Sequence, residues 1–289
     1  MSNRYWVLLV LVAAVSLAQT GSSRITGTVS DSSGAVVPGA MVTLTNENTG
    51  ISYQQTTTGA GLYAFPDLPV GSYSLTVEMR GFKTARKTGN VLVVNTPLAI
   101  DITLDVGETT EVVSVSASVE TLVTSNAAIG NVVEHKAIVE LPLNGRNPLA
   151  LLVLEPGVVQ RSAGGAGSGV HVNGSRDRAF NVTIDGIEAN ESSVPNPMSN
   201  LYRMNPNNVQ EFKVTTSNPT PEEGRNSGAS IAMATRGGTN EFHGTAFHFL
   251  RNTALNANEF FARGLNTPKP EIKMNQYGIE AGGPIQKNQ

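Results

Sequence analysis

Four histidines stand in this chain of 289 residues, His135, His171, His243 and His248, and their spacing decides first whether it could do metal chemistry. The nearest pair, His243 and His248, is five residues apart, which puts the two rings on opposite faces of an extended strand. They do not converge on one ion. There is no cysteine, so thiol nucleophiles and thiolate metal sites are excluded. No Gly-x-Ser-x-Gly elbow occurs, no His-Glu-x-x-His, and no acidic cluster with calcium-loop spacing. The Gly-rich run SAGGAGSG at 162–169 invites a phosphate reading, but a phosphate cradle needs a helix N-terminus directly after its glycines and a placed cation or ribose partner. The run leads instead into VHVNG, a strand and an Asn-Gly turn, so the glycines read as a surface loop. Asn181-Val-Thr183 and Asn190-Glu-Ser192 match a glycosylation pattern that so Asn-rich a chain produces by chance. The expectation is no cofactor, no metal and no enzyme activity.

The elements must then serve binding or architecture. With 15% charged residues, a net charge of −3, 29 Gly and 15 Pro, the composition suits two modest β-rich domains. Its concentrated cations, Arg80, Lys83, Arg86 and Lys87, read as a solvated strand face, and no nucleic-acid partner is expected. Arg4, the apolar run 5–15, and the small residues Ser16 and Ala18 make residues 1–18 a cleaved secretory signal, with the mature chain beginning near Gln19. An exported chain without disulfides takes its stability from sheet packing.

From residue 23 to 105, short β-branched runs alternate with Gly, Asn and Pro about every ten residues, the rhythm of a small antiparallel sandwich. The clearest strand is 73–79, with Tyr73, Leu75, Val77 and Met79 on one face and Ser74, Thr76 and Glu78 on the other. The Asp31-x-x-Gly34 turn, Pro38-Gly39, Leu68-Pro69, Gly71-x-Tyr73 and Gly81-Phe82 occur in the order that resembles a carboxypeptidase regulatory-like domain. That resemblance implies a seven-stranded, transthyretin-like or Ig-like β-sandwich grouped with carbohydrate-binding-like folds. It carries no peptidase residues with it. A sugar ligand would need exposed aromatics, for which Tyr53, Tyr63 and Phe82 are the candidates; each also fits the core.

Residues 106–119, VGETTEVVSVSAS and its flank, hold a β-branched run without Gly or Pro to end it. It is either a free strand, available to pair edge-on with another protein, or one more strand of the sandwich. Thr110, Glu111, Val112, Val113, Ser114 and Val115 resemble a TonB box, which implies a periplasmic TonB-type energy-coupling protein as partner.

Residues 120–238 change texture. Near-helical spacing of Ile129, Val132, Val133, Ile138 and Val139 predicts a helix over 126–140, ended by Leu141-Pro142. A second short helix is expected over 148–154, and strands over 180–184, 209–214 and 229–235, with Asp185-Gly186 a hairpin turn. LPLNGRN (141–147), the Asp185-Gly186 strand end and TRGGTNEFHG (235–244) resemble the plug domain of TonB-dependent receptors of the Oar-like group, an α+β fold. A plug sits in a polar barrel lumen, so Arg176, Arg178, Asp185, Glu222, Glu223 and Arg225, with Gly186 at the turn, are candidate latches.

Residues 239–289 hold two alternating runs, 242–251 and 275–281, joined by a long polar loop, and Phe247 and Phe249 share a face. Ten-residue amphipathic strands suit an outer membrane, and a plugged barrel has about 22 of them. The reading is mainly β: sandwich, plug, and the first two strands of an incomplete outer-membrane β-barrel. The chain is then the N-terminal part of an outer-membrane TonB-dependent receptor, its N-terminal domains facing the periplasm, its plug gating uptake of a substrate such as a carbohydrate or peptide. The alternative is a secreted or surface carbohydrate-binding or adhesion module without transport.

Overall fold

The computed structural model describes residues 23–108, 112–116, 127–160, 169–176, 179–190, 204–223 and 226–288. Residues 1–18, expected to be a secretory signal, and the Gly-rich run at 162–168 lie outside them. Two compact units result, one ending at Gly237 and one made of 238–289 with 48–50.

The first unit opens with a sandwich. One sheet has the order β4 (Leu62–Leu68), β1 (Ser23–Asp31), β7 (Leu98–Ala99), with β8 (Ile102–Leu104) also on β1. The other runs β3 (Ser52–Thr56), β2 (Met41–Asn46), β5 (Gly71–Glu78), β6 (Thr84–Leu92), β9 (Val112–Ser116). Alternation predicts the inner face of β5 correctly: Tyr73, Leu75 and Val77 are fully buried with Ile25, Leu44 and Leu68 between the sheets. Two features differ from expectation. Eight strands, not seven, occupy the span to Leu104, and the sandwich is not purely antiparallel. Residues 93–97 cross from one sheet to the other, so β7 and β8 arrive beside β1 in the same direction as it, and β9 runs parallel to β6. Gly27 permits this closure, because a Cβ there would lie 1.9 Å from the Ile100 carbonyl oxygen.

The second half of this unit is a five-stranded sheet of order β10 (Ile129–Glu134), β15 (Val209–Ser217), β16 (Ala229–Thr235), β13 (Phe180–Ile184), β14 (Ile187–Glu188). Here the predicted helix over 126–140 is corrected. Its first part is β10, paired antiparallel with β15 from Ile129↔Ser217 to Glu134↔Glu211, and only α1 (His135–Glu140) is helical. The β-favouring Ile129, Val132 and Val133 gain a full ladder on the edge of a sheet, which outweighs a weak helical period. Gly130 lets the strands close, since a Cβ would meet the Val214 carbonyl oxygen at 2.3 Å. Residues 148–154 are helical as expected but of the 3-10 type, with Asn147 accepting from the Leu149 N–H at their start. A small hairpin of β11 (Val158–Gln160) and β12 (Val170–Val172) comes next.

One face of the five-stranded sheet carries Val182, Phe212, Val214, Ile231 and Met233, buried against Ile138, Leu149 and Leu152 of the helical segments. The other face carries Glu211, Lys213, Thr215, Ser230, Ala232 and Ala234, and it is buried too.

In the second unit, β17 (His243–Asn252) and β18 (Lys273–Gly282) form a ten-pair antiparallel hairpin. Pairing puts Ala246, His248 and Leu250 on one face with Asn275, Tyr277 and Ile279. Phe247 and Phe249 lie on the opposite face, rings 5.8 Å apart, with Gln276 and Gly278 across from them. The connecting segment departs from the expected polar loop: it contains α2 (Phe260–Gly264), on and around which Leu255, Phe260, Phe261 and Leu265 are exposed.

Candidate functional site

Of the six residues that resemble a TonB box, Val112, Val113, Ser114 and Val115 form most of β9, while Thr110 and Glu111 lie outside the described residues. The strand is not free. It pairs with β6 from Thr84↔Val112 to Thr88↔Ser116, as the last strand of its sheet. The local chain explains the placement: the Lys83 N–H donates to the Asp105 carbonyl at 2.8 Å, Phe82 bridges Val106, and the Gly107 N–H donates to the Gly81 carbonyl at 3.2 Å. These contacts bring the chain leaving β8 back to the start of β6. A parallel neighbour uses one side of β9; the ladder groups of its other side find no strand partner among the described residues.

Asp185 and Gly186 both have positive φ, 49° and 80°, the requirement of a two-residue hairpin between β13 and β14. The Asp185 carboxylate accepts from the Thr235 N–H at 2.8 Å and from the Thr235 hydroxyl at 2.7 Å, while its own N–H donates to the Met233 carbonyl at 2.9 Å. It pins the turn to the end of β16. Glu223 is buried, accepting from the Asn95 side-chain amide at 3.1 Å, the Thr215 hydroxyl at 3.2 Å and the Thr220 N–H at 3.4 Å. Arg176 is exposed on the turn after β12. Arg178 and Arg225 lie outside the described residues, as does the Glu222 side chain. Among the described residues the candidate latches do not gather at one place: Asp185 and Glu223 bond within their own unit, and Arg176 is exposed.

Among the described residues, two of the histidines and a tyrosine are held by backbone carbonyls. His135 Nδ1 lies 2.7 Å from the Val209 carbonyl oxygen, and His171 Nδ1 2.8 Å from that of Ser175. No group of three metal-ligating side chains forms among the described residues. Tyr63 is buried and donates its hydroxyl to the Ile100 carbonyl; burial raises its phenol well above the ordinary range. Tyr53 and Phe82 pack on the same core. Tyr63 is thus an interior residue, while Tyr53 and Phe82 are half-buried against the core.

Sequence reasoning missed two arrangements. Arg146, in LPLNGRN, is buried and donates from Nη2 to the side-chain oxygens of Asn205 (2.8 Å) and Asn207 (2.9 Å), joining that motif to the start of β15. The second is the charged pair on β15. Burial raises the Glu211 carboxyl above its usual value, its bond from the Val94 N–H opposing that and Glu134 adding to it. Burial lowers the Lys213 ammonium, with Glu223 opposing.

Known families match this geometry in chain order. The carboxypeptidase regulatory-like domain matches residues 24–105, the TonB-dependent receptor plug domain 123–231, and an outer membrane beta barrel domain 234–289. The central segment matches the plug domain of TonB-dependent receptors. The chain is 28% identical over 284 residues to the TonB-dependent transporter Oar of Myxococcus xanthus, covering 92% of this chain and 26% of that protein. It thus spans about a quarter of the length of that relative. Among solved structures, the outer membrane transporter YddB from Escherichia coli aligns over 45% of this chain and 19% of its own, at 16% identity and a TM-score of 0.36. A group B streptococcus pilus 2b backbone protein aligns over 30% of this chain and 42% of its own, at 19% identity and a TM-score of 0.25. The five-stranded sheet with α1 falls largely in the segment that matches the plug domain, and the β17–β18 hairpin in the segment that matches the barrel domain.

Proposed function

We propose that this chain is the N-terminal part of an outer-membrane TonB-dependent transporter, in which the plug gates uptake of a substrate and a periplasmic TonB-type protein supplies the energy. The observation that carries this reading is the succession of a plug sheet and, directly after Gly238, a ten-residue hairpin whose Leu250, Tyr277 and Ile279 share an exposed face. Amphipathic strands of that length suit a bilayer crossing. The candidate TonB box fits the reading in a particular way. As an edge strand, β9 offers a partner either its open side, by strand addition, or its whole ladder once lifted from β6. Arg176 is the latch candidate whose exposure suits contact with a lumen wall.

The test uses the absence of cysteine. With Ser114→Cys as the sole thiol in the chain, a series of single cysteines along the periplasmic domain of a TonB-type protein is expected to trap disulfides at neighbouring registers. A complete absence of trapping, with the same series trapping a receptor of known TonB dependence, would overturn the coupling role.

A further inference from the structure

The second face of the plug sheet has an occupant already, and it comes from the sandwich. The segment 93–97, crossing between the two sandwich sheets, lays Val94 against Ala232 and Ala234 of β16, with Val70 beside them. Val94 is 2% exposed and stands apart from the sandwich core, so its burial is owed to the plug. Around this small apolar contact the bonds are polar and cross between the domains. The Val94 N–H donates to Glu211 Oε1, the Lys213 ammonium donates to the Asn95 carbonyl at 2.8 Å, and the Asn95 side-chain amide donates to Glu223 Oε1 at 3.1 Å. Asn95 has φ of 50°, a left-handed conformation that turns its carbonyl and its side chain toward the plug together.

We propose that Ser230, Ala232 and Ala234, with Glu211, Lys213 and Glu223, form a seat on the plug for the sandwich turn at Val94–Asn95, and that this seat makes sandwich and plug one mechanical body. The residue types fit the task. Small side chains on β16 let a backbone turn approach the sheet closely, as a row of Leu or Val would not. Three charged groups recognise polar atoms of the turn, giving register without a large apolar area. A seat made this way differs from a hydrophobic core in how it fails: once water enters, each charge regains its hydration, so the contact opens without exposing a large apolar surface. The sandwich is then a clamp on the plug rather than a tethered extension. A load that parts the two domains falls on this seat. The inference concerns contact between two domains of one chain and is independent of whether TonB or any substrate engages them.

The experiment follows the reactivity of Lys213 in the whole 289-residue protein. Amine acylation read by mass spectrometry is expected to modify Lys213 at least tenfold more slowly than the exposed Lys136 and Lys287. Val94→Asp should bring Lys213 to within threefold of those lysines while amide exchange of β5 in the sandwich stays slow. Val94→Ala, which keeps the turn and adds no charge, should give an intermediate rate if the aspartate disturbs folding. Independently, Val94→Cys with Ala232→Cys should oxidise to an internal disulfide in this otherwise cysteine-free chain. Lys213 reacting as fast as Lys136 in the unaltered protein, or the same slow rate in both Val94 variants, would overturn the proposal; so would failure of the folded double-cysteine protein to cross-link.

Discussion

Lys213 reaches the backbone carbonyl of Asn95 across 118 residues of sequence, at 2.8 Å, and so ties the middle of the plug sheet to a turn of the sandwich. Its neighbours Glu211 and Glu223 hold the same turn.

Glu211 makes the clearest pH prediction. Burial raises its carboxyl above the ordinary 4.5, so between that value and its folded value the unfolded chain has already released a proton that the folded chain retains. Stability contributed by this group is present in full below 4.5 and falls as pH rises through the folded pKa. Glu211→Gln keeps an acceptor for the Val94 N–H and removes the titration. In urea midpoints measured from pH 4 to 8, the native chain should therefore lose stability relative to the variant as pH rises; a constant difference between the two would remove Glu211 from the titration. Lys213 acts in the alkaline range with the opposite sign: its lowered pKa makes the folded chain release its proton first, so its cost is relieved as pH approaches 10.5.

Gly27→Ala should weaken the sandwich by about 1–3 kcal/mol, the usual cost of forcing atoms into a closed core. The new methyl would overlap the Ile100 carbonyl oxygen at 1.9 Å and crowd the Tyr63 hydroxyl at 2.7 Å, opening the β1 closure and the Tyr63–Ile100 bond together. Thermal unfolding followed by near-ultraviolet circular dichroism of the tyrosines reads it. An unchanged transition would show that the 93–101 crossing does not close on β1 this tightly.

Asp185→Ala removes both bonds to Thr235 and places alanine at a φ of 49°. A loss of about 1–3 kcal/mol is expected, with amide exchange accelerated first in β14 and at Thr235. Asp185→Asn, which tolerates the same φ and still offers one acceptor, should lose less than half as much. Equal losses would assign the residue's role to charge rather than to turn geometry.

The hairpin faces predict different surroundings in a bilayer. Tyr277 and Ile279 are 79% and 84% exposed and share their face with Leu250 and Ala246; the Phe247–Phe249 face includes Thr245, Gln276, Glu280 and Arg251. With Trp6 replaced by Phe, a tryptophan at Ile279 should be quenched strongly by brominated lipid in the assembled barrel, and one at Thr245 weakly. The reverse pattern would turn the hairpin over.

Alternation made β5, β15, β16, β17 and β18 legible from sequence, because residue types differ between the two parities of each strand, even where, as in β15 and β16, both faces are buried. The 126–140 segment was not legible: Ile129, Val132 and Val133 fit a helical stripe, while the ladder that makes them a strand is supplied by β15, some eighty residues later. The clamp was hidden for a related reason. Glu211, Lys213 and Thr215 alternate with Phe212 and Val214 as a solvated face would, and Ser230, Ala232 and Ala234 alternate with apolar neighbours in the same way. Periodicity separates two faces of a sheet; it does not say that a turn from another domain covers the polar one. Tyr63 shows the converse, since a candidate for sugar stacking proves to be an interior residue whose hydroxyl is spent on Ile100.

The side-by-side, same-direction pairing of β9 with β6 gives the strand a mechanical polarity. Tugged along its own axis, all five residue pairs share the strain and slide as a block, whereas tugged sideways from one end they part in succession, each bearing the strain alone. Heading of the tug, more than its strength, then decides whether this segment stays in the sandwich or comes away.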